Sequence, residues 1–250
     1  MHPRAAVRVK ERWTPHRRPT AFPPSRARRR DSTMNLRRTL TAAGAALLAL
    51  AAAAAPAVAA PAPTTAPPSG TASLASVLAA DGDTFDRNWY DFDIVDQAVA
   101  AVLAAKPDSP VAVLADGTVP LTAFLPNDRA FQLLAFDLTH RWQPTEERVL
   151  TSLAGAVGID AIEQVLLYHV VPGATIDSGT ALRSDDAVLT TAQGATFRVD
   201  VLSKRLALVR LVDQDRNDVD PFLVKSKLDL NKGNVQIAHG ISAVLRPQNL

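Results

Sequence analysis

The chain has 250 residues, 47% of them hydrophobic and 21% charged, a globular balance with room for one large domain or two small ones. Its formal charge of +2 averages unlike parts: residues 1–33 hold ten Lys or Arg against two acids, residues 34–59 add two arginines, and residues 60–250 carry 15 basic and 23 acidic side chains. The basic excess belongs to the front of the chain and gives no reason to expect nucleic-acid binding, while the lack of cysteine excludes disulfides, thiolate metal sites, a cysteine nucleophile and a lipidated cysteine.

Residues 1–33 mix arginine and proline without apolar periodicity, so they read as a disordered basic extension, with Met34 as the working start. From Met34 a signal peptide follows: Arg37 and Arg38 form the charged region, Leu40 to Ala55 the apolar run, and Ala57-Val58-Ala59 the small-residue site, with the cut after Ala59. Arg37-Arg38-Thr39-Leu40 leaves a twin-arginine export route open beside the general one. Residues 60–71, APAPTTAPPSGT, read as an extended linker, and residues 72–250 as the folded domain. No second apolar run or sorting motif stands near Leu250, so the expectation is a secreted protein with no integral membrane span after cleavage. Export without disulfides, together with abundant Ala and Arg, points to a bacterial source.

Within the domain, Ser73 to Ala80 and Phe92 to Ala105 read as helices, the second with an apolar stripe of Ile94, Val95, Ala98, Val99, Val102 and Leu103 and with Asp91 or Asp93 placed to cap it. Trp89 and Tyr90 before it are either a ligand platform or packing for these helices. Leu121 to Leu125 alternates into a strand, and Asn127 or Asp128 caps a helix carrying Phe131, Leu134 and Ala135. Thr145 to Gly155 and Ile159 to Tyr168 are two more helices. In the latter, Ile162, Val165, Leu166 and His169 share an inward face, and Val170-Val171-Pro172-Gly173 turns the chain from helix to strand. Beyond Gly173 the texture is strand-like: Ala187 to Ala192 and Thr196 to Leu202 around a Gln193-Gly194 turn, Arg205 to Val212, then Val235 to Ala238 and Ile241 to Leu245 around His239-Gly240. Helices first and strands after predict an α+β fold, with helices packed on one side of a mainly antiparallel sheet or wedge.

Three stretches, LTAFLPNDRAF at 121–131, LLYHVVPG at 166–173 and GNVQIAHGISAVLRP at 233–247, together resemble the fasciclin-like domain, a secreted adhesion and interaction module, present here in one copy. The resemblance implies a binding role in adhesion to cells, matrix or polysaccharide, through an extracellular protein or cell-surface glycan. In animal members a tyrosine-histidine pair with flanking branched aliphatics is associated with integrin binding, which maps onto Tyr168, His169, Ile162 and Val165, with Tyr168 turned outward if His169 holds the helix end. From the residues alone, His169 reads instead as a satisfied core histidine tied near Asn127 and Asp128. An envelope-assembly protein without external ligand is the alternative of another class.

Nothing in the chain matches HExxH, GxSxG or a phosphate-cradling glycine loop, so no enzyme is expected; a hydrolase would need a grouping such as His169 with Asp177-Ser178. No cofactor is expected either, with one reservation. Asp213, Asp215 and Asn217 match the start of a calcium loop, although Asp218 stands where that loop needs glycine and Val224 where it needs glutamate.

Overall fold

The computed structural model describes residues 70–80, 82 and 84–248. The expected extension, the signal peptide and most of the linker lie outside the described residues. Gly70, two residues before Ala72, is tied to the chain near β6: its N–H donates to Gly233 O at 3.0 Å and its O accepts from Val235 N–H at 2.9 Å. A Cβ on Gly70 would stand 2.1 Å from Asn234 Oδ1, so only glycine permits this approach.

Helices α1 (Leu74–Ala79), α2 (Asp93–Ala105), α3 (Asp128–Thr139) and α4 (Glu146–Tyr168), with the short α5 (Ser178–Ala181), alternate with strands β1 (Leu121–Pro126), β2 (Val170–Pro172), β3 (Val188–Thr190), β4 (Thr196–Ser203), β5 (Leu208–Val212) and β6 (Gln236–Ile241). Two three-stranded sheets form, ordered β2-β1-β6 and β3-β4-β5. Among the described residues, the strands of these sheets pair antiparallel except β1 with β6, which run parallel from Leu121↔Gln236 to Pro126↔Ile241. The fold is α+β, as expected, with two sheets in place of one.

β1 is buried along its whole length because both faces are covered. Leu121, Ala123 and Leu125 join a core with α1 to α4, whereas Phe124 joins a second core with Tyr168, Phe197, Val199, Val209 and Leu211 under the second sheet. The strict two-residue alternation of a strand thus joins a helix layer to a sheet layer through one element. His239 and Gly240 lie inside β6 and not at a turn, since the parallel partner β1 carries the strand straight through them. In β5 the buried side chains are Val209 and Leu211, opposite Val201 and Val199 on β4, whereas Leu206 is exposed.

The helix starts are secured by side chains. Asn127 accepts from Ala130 N–H at 2.9 Å, and Thr145 accepts from Arg148 N–H. α2 differs from the expectation: its N-cap position is Phe92, which makes no side-chain cap bond, and Asp128 reaches across from α3 to accept the Ile94 N–H at 2.8 Å. α4 is a 23-residue run broken at Gly158 (φ +79°, ψ 167°), in keeping with two successive helices. By length and composition α4 could cross a membrane, yet it is broken and packs Val149, Leu153, Ile162, Val165 and Leu166 into the helical core.

Candidate functional site

The junction of α4 and β2 places the family motif inside the protein. Tyr168 is 0% exposed, so the expected outward orientation is not found. Its ring meets Phe197 edge-on at 6.1 Å between centroids, and its hydroxyl donates to Thr196 O at 2.8 Å. Burial, with Asp213 nearby, holds the phenol far above its ordinary pKa, so it stays a neutral donor.

His169 is equally enclosed at 4% exposure. Its Nδ1–H donates to Val165 O at 2.7 Å, and Nε2 accepts from Leu245 N–H at 2.9 Å, a pairing that fixes the neutral tautomer. Desolvation pushes its pKa down to about 4. The ring therefore ties α4 to the segment after β6, and not to Asn127 and Asp128. Ile162 and Val165 are buried in the helical core, so none of the four residues singled out by the resemblance presents its side chain to a partner.

Ser178 is drawn to Asp229 and His239, away from His169. Its hydroxyl donates to Asp229 Oδ2 at 2.8 Å, while His239 Nδ1 accepts from Asp229 N–H at 3.2 Å and Nε2–H donates to Ile176 O at 2.8 Å. Both imidazole nitrogens are engaged by backbone, so the ring cannot take a proton from the serine as a general base must.

The acidic loop closes around an arginine. Asp213 Oδ2 accepts from Arg246 N–H at 2.8 Å and its Oδ1 accepts from Asp215 N–H at 3.0 Å; Asp215 Oδ1 accepts from Asn217 N–H at 3.0 Å. The Arg246 guanidinium stands 2.8 Å from Asp137, 3.6 Å from Asp215 and 2.9 Å from Asp218, the last an ion pair of poor hydrogen-bond alignment. The loop's carboxylates thus meet a built-in cation, and Asp213 spends both oxygens on backbone donors.

The outer face of α3 was not singled out in the sequence. Arg129, Leu133, Phe136 and His140 follow one another at helical spacing on the side away from the buried Phe131, Leu134 and Ala135, and Leu133 and Phe136 are exposed. Trp142, also exposed, stands edge-on to Phe136 at 5.9 Å, and the Arg129 guanidinium lies over its ring at 4.8 Å. Beside this stripe runs a groove of about 330 Å³ between Leu133, Phe136, Asp137, Val219, Val244 and Arg246. At its edge Val219 is 74% exposed. Trp89 packs on the core and its carbonyl accepts the Arg129 N–H at 2.9 Å, whereas Tyr90 is 67% exposed, so that aromatic pair is divided between packing and surface. The available signal was a set of large apolar side chains on the wrong phase of an amphipathic helix.

Known proteins bear on this geometry in two ways. The Fasciclin-domain family matches residues 96–247, more than half of the chain, and the chain belongs to that family. A solved FAS1 domain pair from the insect cell adhesion molecule fasciclin I is similar, with 14% identity and a TM-score of 0.43 over 61% of this chain. The match covers 47% of that chain, so this protein spans about half of the pair. No curated protein matches the chain. Fasciclin domains are known as cell adhesion modules and occur in extracellular or surface proteins.

Proposed function

We propose that the protein is exported, released by cleavage after Ala59, and acts as a non-catalytic adhesion module whose partner is an extracellular protein docking on the outer face of α3. The observation that carries this reading is the exposed stripe Leu133, Phe136 and Trp142, with Arg129 stacked on the tryptophan, beside the groove that ends at Val219. Single exposed apolar residues are ordinary, but a contiguous set next to a concave surface marks an interaction site. Trp and Arg are enriched among the side chains that dominate protein interfaces, and the exposed Asp137, paired with the buried Arg246, gives such an interface a charged edge. The engaged nitrogens of His169 and His239 support binding without turnover.

The test is saturation binding of the chain purified from culture fluid to the producer's own cells and to a panel of matrix proteins and glycans, with Phe136→Ser/Trp142→Ala beside the wild type. Saturable binding to a protein, weakened at least tenfold by the double substitution, is expected. Binding confined to glycans would replace the protein partner with a sugar. A chain that stays with the cells and binds nothing would favour an envelope-assembly role.

A further inference from the structure

Five carboxylates from separate stretches of the chain meet where α2, α3 and α4 begin. Asp86 and Asp91 belong to the loop before α2, Asp93 opens α2, Asp128 opens α3 and Glu146 opens α4. Asp91, Asp128 and Glu146 are 5%, 0% and 0% exposed, and each offers an oxygen within 4.8 Å of the others; Asp86, Asp91 and Asp93 form a second such group sharing Asp91.

Some of these oxygens are used. Asp128 Oδ1 accepts the Ile94 N–H, and Glu146 Oε2 accepts the Asp86 N–H at 2.7 Å. Asp91 Oδ1, Asp128 Oδ2 and Glu146 Oε1 are buried and meet no donor. Among the described residues, no Lys, Arg or His forms an ion pair with these three carboxylates.

Carboxylates that have lost water, lack donors and face one another must share a proton or hold a cation. Burial, reinforced for Asp128 by Asp91, raises both the Asp128 and the Glu146 carboxyl above the usual range, the cost of facing one another without a counter-charge. The acidic loop at Asp213–Asp220 has the same side-chain chemistry with the opposite provision, because Arg246 reaches into it.

We propose that Asp91, Asp128 and Glu146, with Asp86 and Asp93 beside them, bind a hard divalent cation of calcium's class. The donors are all oxygen, without imidazole or thiolate, which excludes the softer metals. Magnesium keeps several waters and is held through one or two carboxylates, whereas calcium accepts six to eight oxygens from the protein, so a cluster of five carboxylates suits calcium. The bound ion joins the Asp86–Asp91 loop to the starts of three helices and fastens the helical layer. This inference is independent of the adhesive surface on α3.

The experiment is calcium titration of the chelator-treated purified chain by calorimetry and thermal melting, with magnesium in parallel. One saturable site per chain is expected, together with a Tm rise of roughly 5–10 °C at calcium a hundredfold above Kd. Asp128→Asn, which keeps an acceptor for Ile94 N–H and relieves the crowding of buried carboxyl groups, should abolish the calcium response while melting no lower without calcium. Glu146→Gln should behave alike, and Asp213→Asn should retain the response. The proposal fails if the wild type shows neither heat nor shift, or if the response survives both Asp128→Asn and Glu146→Gln. A response to magnesium alone overturns the assignment to calcium.

Discussion

The α4–β2 junction and the outer face of α3 carry opposite relations between motif and surface. At the junction, a recognisable run of residues is turned wholly inward: Tyr168 fills the second core, and His169 spends both nitrogens on backbone. On α3, Leu133, Phe136 and Trp142 belong to no motif yet stand in solvent. Recurrence of a sequence motif and availability to a partner are therefore separate properties. A motif can recur because it sets the angle between a helix layer and two sheets, while contact is left to whatever the helices expose.

The largest effect that would break this contrast is expected at Tyr168. Tyr168→Ala should cost ~3–5 kcal/mol of stability in urea unfolding, the range for truncating a buried aromatic. A loss below ~1 kcal/mol would return the ring to the surface and undo the distinction. Arg246→Met comes next. Removing the guanidinium leaves the acids of the Asp213–Asp220 loop facing one another without a counter-charge, at a cost of about 3 kcal/mol. Adding Asp215→Asn and Asp218→Asn should recover part of that loss, and no recovery would mean that Arg246 acts through packing alone.

The acid limb follows from His169. Its folded pKa, about 4, lies below its ordinary value of 6.5, so its contribution is complete above pH 6.5 and is lost as the pH falls toward 4, by at most ~3 kcal/mol. His239 is shifted in the same direction by burial and adds to the slope. Stability measured from pH 7 to 4 should fall less steeply in His169→Gln than in the wild type; equal slopes would contradict a buried neutral imidazole. The smallest stability effect belongs to α3, where Phe136→Ser should stay within ~0.5 kcal/mol of the wild type while partner binding drops.

Much of the fold was legible because local signals agreed with it. The stripe of α2, the Asn127 cap and the division of α4 into two successive helices follow from residue type and spacing. Pairing over long sequence separations was not legible. His239-Gly240 looks like a turn until β1 arrives from more than a hundred residues earlier to hold it in a strand. Asp128 caps α2 across 34 residues of chain, a bond no local pattern encodes. The same limit governs the acidic sites: the loop around Asp213 is contiguous in sequence although Arg246 compensates it, while Asp91, Asp128 and Glu146 come together only in three dimensions. Tyr168 turns inward for a simpler reason, since a helix end packed between two layers has no outward side.

The central claim is that binding belongs to the exposed α3 face and that the Tyr168–His169 junction supplies architecture. It is tested most directly by saturation binding to the extracellular protein partner with three samples in parallel: wild type, Phe136→Ser/Trp142→Ala, and Tyr168→Phe, which keeps the buried ring and deletes only its hydroxyl. The account predicts that the double substitution weakens affinity at least tenfold without lowering Tm, and that Tyr168→Phe binds as the wild type does. Full affinity in the double variant, with binding lost in a folded Tyr168→Phe, would contradict it.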